Sequence, residues 1–221
     1  MLELYLSKED FKVGRRLMEE EKIYPITYEN MFVAGIYCIL SAAEKHSKHV
    51  LVYNKLVKTL DIPEKILSNK EKLRKIVSVA RFPNLKTERI YNFASWWVKN
   101  SLPKRILKDI NSGREKEFEL RNELAEECPG ISYKGASLFM VKCGYENVVP
   151  IDLWMLRFLR SLGYEVEIPD YKKKSGPKPR EYLEYEKIIS EITRKLKVSP
   201  AFLQFTVWSK FSKIKNSKKL S

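Results

Sequence analysis

Apolar residues recur three and four positions apart along most of the chain: Phe32, Gly35, Ile36, Ile39 and Leu40 in one stretch, Phe118, Leu120 and Leu124 in a second, Leu156, Leu159 and Leu162 in a third. That spacing lines one face of a helix. Proline punctuates the pattern, with Pro63, Pro83, Pro103, Pro129, Pro150, Pro169 and Pro200 each preceding or following a periodic stretch. A residue without an amide proton does not continue a helix, so these read as recurrent helix-stop signals. The pattern predicts an all-α protein of about eight to ten short helices joined by tight loops, with at most a small strand at residues 2–6.

Towards the carboxy end, Lys172, Lys173 and Lys174 run into Ser-Gly-Pro-Lys-Pro, so that 171–180 reads as an exposed basic loop. A helical block over 181–196 follows, then a last helix opened by Pro200 that carries Phe202, Phe205, Val207, Trp208 and Phe211. The lysine-rich tail at 213–221 is expected to fray. No internal repeat is visible.

Composition narrows the class. The 221 residues are 44% hydrophobic and 12% aromatic, enough to bury one good core or two small lobes. The longest nearly apolar run, 31–43, is 13 residues, against the roughly 20 that span a bilayer. No charged leader with a cleavage site opens the chain, so a soluble, intracellular protein with no membrane partner is expected. Cys38, Cys128 and Cys143 are an odd set with no CxxC pair and no histidine at ligand spacing. They argue against a disulfide framework, a zinc site or an iron-sulfur cluster, and neither metal nor cofactor is expected. Forty-two Lys and Arg against 28 acidic residues give a formal charge of +14. A field of that sign concentrates a polyanion, which makes nucleic acid the natural partner. The competing reading is a lysine-rich surface serving solubility or ion-pair networks.

The informative stretch is 117–164. A helix ends at Cys128, Pro129 to Tyr133 make a turn, a second helix runs from Lys134 to Cys143, and Gly144 and Val148-Val149-Pro150-Ile151-Asp152 lead into a third. Pro129 and Gly130 reverse the chain, Ile131 can plug the space between the two helices, and amides at the second helix's N-terminus would face outward without partners. Such a turn suits a phosphate oxygen. Taken alone, Asp152 is a good N-cap and Lys134 an ordinary surface lysine.

The run Pro129-Gly130-Ile131-Ser132-Tyr133-Lys134, followed 18 positions later by Val149-Pro150-Ile151-Asp152, resembles the helix-hairpin-helix plus Gly-Pro-Asp (HhH-GPD) signature of DNA glycosylases. It is most similar to the lysine-bearing 8-oxoguanine DNA glycosylase/lyases. The resemblance implies a two-lobed all-α fold, with residues 30–145 as a helical-barrel lobe containing the hairpin at 117–143. Residues 1–29 would join 146–221 in the second lobe. It further implies that Gly130, Ser132 and Tyr133 hold a DNA phosphate, that Lys134 is the nucleophile and that Asp152 is its carboxylate partner. Ser132 stands where the family's second hairpin glycine is usual, so a slightly different turn is expected there.

The chemistry asks for these residue types. Breaking an N-glycosidic bond builds positive charge on the sugar, which a carboxylate stabilises while it accepts a proton from the attacking group. A lysine amine attacking C1′ displaces the base and leaves a Schiff base, from which elimination cuts the strand. Free lysine, with a pKa of about 10.4, is mostly protonated, but a helix N-terminus and partial desolvation disfavour the ammonium. On the last helix Gln204, the only glutamine, and Trp208 lie one turn apart on one face. An amide that reads a base edge beside a ring that stacks on its face is a sensible base pocket, although Trp208 could instead be core with Phe205 and Phe211.

Extruding a base leaves a gap in the stack, and related enzymes insert a wedge from the position of the 41–49 loop. Lys45, His46, Lys48 and His49 there could contact DNA or mark a solvated helix end. Trp96 and Trp97 read as packing residues, and 81–89 as a possible backbone-binding edge. The expected partner is double-stranded DNA containing a damaged base, met by a monomer. The alternatives are a glycosylase for oxidised pyrimidines or uracil, whose endonuclease-III-like members carry a four-cysteine cluster not found in this sequence, and a non-catalytic helix-hairpin-helix DNA-binding module. A helix-turn-helix transcription factor is disfavoured for want of a recognition helix.

Overall fold

A computed structural model describes residues 5–110, 112–169 and 176–211. Twelve α-helices run through these residues: α1 (Lys8–Glu21), α2 (Tyr28–Ser41), α3 (His46–Val57), α4 (Pro63–Ser68), α5 (Lys70–Val77), α6 (Pro83–Lys99), α7 (Leu102–Lys108), α8 (Arg114–Glu127), α9 (Tyr133–Lys142), α10 (Leu153–Ser161), α11 (Pro179–Leu196) and α12 (Pro200–Phe211). Strand is absent from the described residues, and of the segment 2–6 only Tyr5 and Leu6 are described. Half of the 171–180 loop, residues 171–175, and all of the 213–221 tail lie outside them.

The helices number more than the eight to ten expected because prolines open elements as well as stop them. Pro63, Pro83 and Pro103 each sit in the first turn of their helix. There the missing amide proton would have had no intrahelical partner, and the restricted φ is already helical. The short helices α4 and α7, of 6 and 7 residues, follow from this close punctuation.

The helices divide into two compact units, Ile23–Gly144 and the described residues of 1–22 with 145–221. Within Ile23–Gly144, α2 is buried from Met31 to Leu40 except at Val33. A helix apolar on nearly every side belongs inside a core, and α3, α6, α7 and α9 pack around this one. Phe32 stacks on Phe93 with centroids 5.4 Å apart and 3° between planes, and the fully buried Trp97 tilts against both. Trp97 is packing, as expected, while Trp96 is half-buried. A backbone bond from Ile23 N–H to the Lys142 carbonyl, 2.8 Å, joins the two ends of this unit.

In the other unit α1 lies against α12. Contact is close at Gly14, where a Cβ would meet the Thr206 backbone at 2.7 Å. Ser7 caps α1 in a reciprocal capping box with Asp10. The Lys22 ammonium reaches Glu146 at 3.1 Å and Ala201 N–H donates to the Glu146 carbonyl, so the end of α1 and the start of α12 share one anchor.

One residue departs from expectation. His49, read with Lys45, His46 and Lys48 as DNA contact or solvated helix end, is 4% exposed. α3 turns it inward, edge-on to Tyr37 with centroids 4.6 Å apart, and neither ring nitrogen finds a hydrogen-bond partner. Burial first, then the charges of His46, Lys134, Lys86 and Lys142, push its pKa down from 6.5 to about 3.

Acid sensitivity follows from that shift. Between pH 6.5 and about 3 the unfolded chain binds a proton at His49 that the folded chain refuses. Stability contributed by the neutral ring is therefore intact above 6.5 and falls as pH drops through this window, by about 1 kcal/mol per pH unit. His49→Phe fills the same space without titrating and orphans no ring nitrogen. Urea denaturation across this window is expected to show it at least as stable as the parent near neutrality and less sensitive to acid; parallel curves would show that His49 protonation does not govern acid stability.

Candidate active site

The hairpin of Ile23–Gly144 is built from local chemistry. Cys128 closes α8 by donating its N–H to Leu124, and Ile131 N–H reaches back to the Cys128 carbonyl at 3.3 Å. Gly130 takes φ +81°, a conformation open to glycine, and its missing side chain lets Arg89 lie against the turn: a Cβ there would sit 2.7 Å from Arg89 Cβ. Ile131 is buried beneath the turn. Ser132 has φ −89° and ψ 174°, extended backbone that any residue adopts, and its hydroxyl accepts the Gly135 N–H at 3.4 Å. The serine thus needs no altered turn. It also caps α9, so one of the amides expected to face outward is satisfied from within.

Lys134 is the second residue of α9 and is half-buried. Its neighbours on both sides are pinned. Tyr133 donates its hydroxyl to Glu126 Oε1 at 3.0 Å, tying the start of α9 to the end of α8. Arg121, fully buried, donates Nη1 to Ser137 Oγ at 3.0 Å and Nε to Asn122 at 2.9 Å, with its guanidinium over the rings of Phe118 and Tyr133. Sequence reasoning missed Arg121, which looks like one more basic residue in a charged helix. Lys142 is likewise buried, its ammonium 4.0 Å from the centroid of the Tyr37 ring.

In the other unit Asp152 is the N-cap of α10. Its Oδ1 accepts from both Trp154 N–H and Met155 N–H at 2.9 Å, and the residue is half-buried. The approach to the cap is clamped by Tyr182 of α11, whose buried hydroxyl donates to the Val149 carbonyl and accepts the Ile151 N–H at 3.2 Å. Pro150 and Ile151 are buried between those contacts. The capping and the clamp together hold one carboxylate at the positive end of a helix dipole.

α10 packs on α12, with Trp154 stacked on Phe211 at 6.5 Å and 13°. Gln204 of α12 is 6% exposed and its Oε1 has no hydrogen-bond partner. Thr206 and Ser209, also buried on this helix, turn their hydroxyls back onto the Phe202 and Thr206 carbonyls. Trp208, one turn beyond Gln204, is half-buried. Gly130, Ser132, Tyr133 and Lys134 therefore share one hairpin, whereas Asp152, Gln204 and Trp208 share the α10 and α12 layer of the second unit.

The cysteines offer no competing nucleophile. All three are buried and none is in a disulfide; burial, and then proximity to Cys38, raises the Cys128 and Cys143 thiols far above their ordinary value. Among the described residues no group of three or more His, Cys, Asp or Glu side chains could hold a metal ion. No helix among them is long and apolar enough to cross a membrane.

Comparison with known proteins places this arrangement. A family profile described as 8-oxoguanine DNA glycosylase matches residues 13–198. The 8-oxoguanine DNA glycosylase/AP lyase of Sulfolobus acidocaldarius is 30% identical over 79% of this chain and 78% of its own. The crystal structure of the Methanocaldococcus jannaschii 8-oxoguanine DNA glycosylase is 25% identical, with a TM-score of 0.66 over 93% of this chain and 85% of that one. The M. jannaschii enzyme in complex with a 15mer DNA containing 8-oxoguanine gives a TM-score of 0.72 at 24% identity, over 91% and 90% of the two chains.

The hairpin geometry predicts unequal tolerance at its two small residues. Gly130→Ala forces a Cβ into Arg89 and a strained φ, and is expected to destabilise by about 1–3 kcal/mol. Ser132→Gly should cost only a few tenths, since glycine is itself a fair N-cap. Thermal denaturation of the two variants, with equal midpoints, would refute the assignment of left-handed backbone to residue 130.

Proposed function

The chain belongs to the 8-oxoguanine DNA glycosylase family, and from that premise we propose that it excises 8-oxoguanine from double-stranded DNA and cuts the strand at the resulting abasic site, with Lys134 as nucleophile. The observation that carries the assignment is Lys134 in the first turn of α9, behind a capped hairpin and flanked by two pinned residues. It acts as a monomer, on DNA inside the cell, and the formal charge of +14 speeds the encounter.

The steps balance on the chain's own groups. The Lys134 amine forms a bond to C1′ as the N-glycosidic bond breaks, and the electron pair leaves with the base, which takes up a proton. Asp152, held as a half-buried anion by its cap, stabilises the positive charge on the sugar and accepts the proton that the attacking nitrogen sheds. The C1′–O4′ bond of the sugar ring then opens, O4′ taking up a proton as the nitrogen lone pair forms the imine; the imine acidifies C2′, and loss of that proton expels the 3′ phosphate. The turn at Gly130, Ser132 and Tyr133, at the positive end of α9, takes a DNA phosphate. Gln204 offers its unpartnered Oε1 to an edge of the extruded base and Trp208 stacks on the face. Phe82, 51% exposed at a tight turn before α6, fills the space that the base vacates.

Two experiments test the roles. Borohydride is expected to trap a covalent complex of the parent with a lesion duplex, and Lys134→Gln to abolish trapping while retaining DNA binding; undiminished trapping would assign the nucleophile elsewhere. Asp152→Asn keeps the Oδ1 acceptor of the cap, so its melting temperature should hold while excision slows by on the order of a hundredfold or more.

Trp208→Ala removes a stacking platform of about 1–3 kcal/mol. It should depress base excision while sparing cleavage at a preformed abasic site, where no base occupies the pocket. Loss of both activities with a lowered melting temperature would make Trp208 core. Faster excision of an oxidised pyrimidine or uracil would overturn the substrate and leave the glycosylase standing.

A further inference from the structure

Two turns of the Ile23–Gly144 unit carry the non-glycine residues with positive φ among its described residues. Ala43, at +53°, lies between α2 and α3, and Phe82, at +56°, lies between α5 and α6. For side chains with a Cβ this conformation is unfavourable and persists only where the surroundings impose it. Both positions are exposed, and the Arg81 guanidinium lies over the Phe82 ring at 5.0 Å. The turns are about 40 residues apart in sequence, and a single buried ion pair hydrogen-bonds to the backbone of both.

Lys86 of α6 has a side chain only 2% exposed. Its ammonium donates to the Leu40 carbonyl at 2.8 Å, near the end of α2, and lies 3.4 Å from Glu44 Oε2. Glu44, 4% exposed at its side chain, accepts the Arg81 N–H on that same oxygen and the Lys45 N–H on Oε1 at 3.2 Å. One carboxylate thus holds the backbone of both turns, immediately beside each strained residue. Burial alone would raise the Glu44 carboxyl, yet the amides of Arg81 and Lys45 and the Lys86 charge hold it below its ordinary value. Burial lowers Lys86, with Lys48 and Arg81 adding to that and Glu44 opposing. Nothing in the proposed chemistry at Lys134 or Asp152 uses either group.

We propose that Glu44 and Lys86 are positioning residues that lock the Ala43 turn and the Arg81-Phe82 turn into one rigid wedge, which holds open the DNA stack from which the damaged base has been withdrawn. The inference rests on the base-extrusion reading above. A ring that must replace a stacked base pair needs a fixed backbone, because each rotation left free is lost on binding. The buried pair removes that freedom before DNA arrives. It also couples the turns, so contact at one is transmitted to the other.

The test compares excision from two substrates. In a duplex the vacated stack must be filled; in an unpaired bubble carrying the same lesion no stack closes over the gap. The double variant Glu44→Gln/Lys86→Met removes both charges and so strands neither, and Glu44→Gln alone supplies a milder change. Duplex excision is expected to slow by roughly ten- to a hundredfold, the upper figure being typical of a group displaced by about 1 Å. Bubble excision should stay within about twofold, and Glu44→Gln combined with Phe82→Ala should be no slower than the slower single variant, the signature of residues acting through one another. Equal loss on both substrates would reduce the pair to a structural ion pair, and unchanged duplex excision or strict additivity would equally overturn its role. A parent protein that excises from neither substrate, and is not trapped by borohydride, would instead overturn the glycosylase reading.

Discussion

The amides at the start of a helix have no partners within it, and this chain satisfies them with the residues on which its proposed chemistry depends. Ser132 caps α9 two residues before Lys134, and Asp152 caps α10 with the oxygen of a carboxylate that is itself a candidate reactant. A cap is fixed by short hydrogen bonds on rigid backbone, so a group that caps is held more tightly than one on a flexible loop. The positive end of the helix dipole adds a field at the same places, favouring a bound phosphate at α9 and the anionic form of Asp152 at α10. Capping and the proposed chemistry therefore draw on the same helix starts.

Buried polar groups behind those helix starts keep them in place. Tyr182 spans the peptide groups before Asp152, and Arg121 reaches past Tyr133 to Ser137 on either side of Lys134. The Glu44 and Lys86 pair does the same at the start of α6. Burying a charge is costly unless hydrogen bonds compensate, and each of these groups has several. Such networks contribute little net stability, but they exclude alternative arrangements because moving one member strands another. His49 and Gln204 are the contrast: both are buried with ring or amide atoms unpaired. For His49 the consequence is a ring kept neutral; for Gln204 it is an amide oxygen enclosed without a partner.

Charge works at a longer range. An excess of 14 positive charges raises the local concentration of any polyanion and sets no register. Register has to come from groups of defined geometry, and the hairpin turn at Gly130 is one, since only a glycine there permits both the left-handed backbone and the approach of Arg89.

The helices, the hairpin and the family signature were legible in the chain because each is encoded locally. Apolar spacing specifies a helical face, proline and glycine specify turns, and the interval from Lys134 to Asp152 is a matter of counting. Family membership followed from the same residues. The number of helices was underestimated because a proline can open an element as readily as end one, and only the packed helix shows which it did. The strained pair Ala43 and Phe82, the inward turn of His49, and the partners of Arg121, Tyr182 and Lys86 were invisible for a different reason. Whether a polar side chain is buried depends on which other helix lies over it, and those helices come from positions as distant as Leu40 and Lys86 or Val149 and Tyr182. Local sequence determined the elements and the residue types at the candidate site, and tertiary packing alone decided which backbone was strained, which charges were enclosed and which polar atoms were buried without partners.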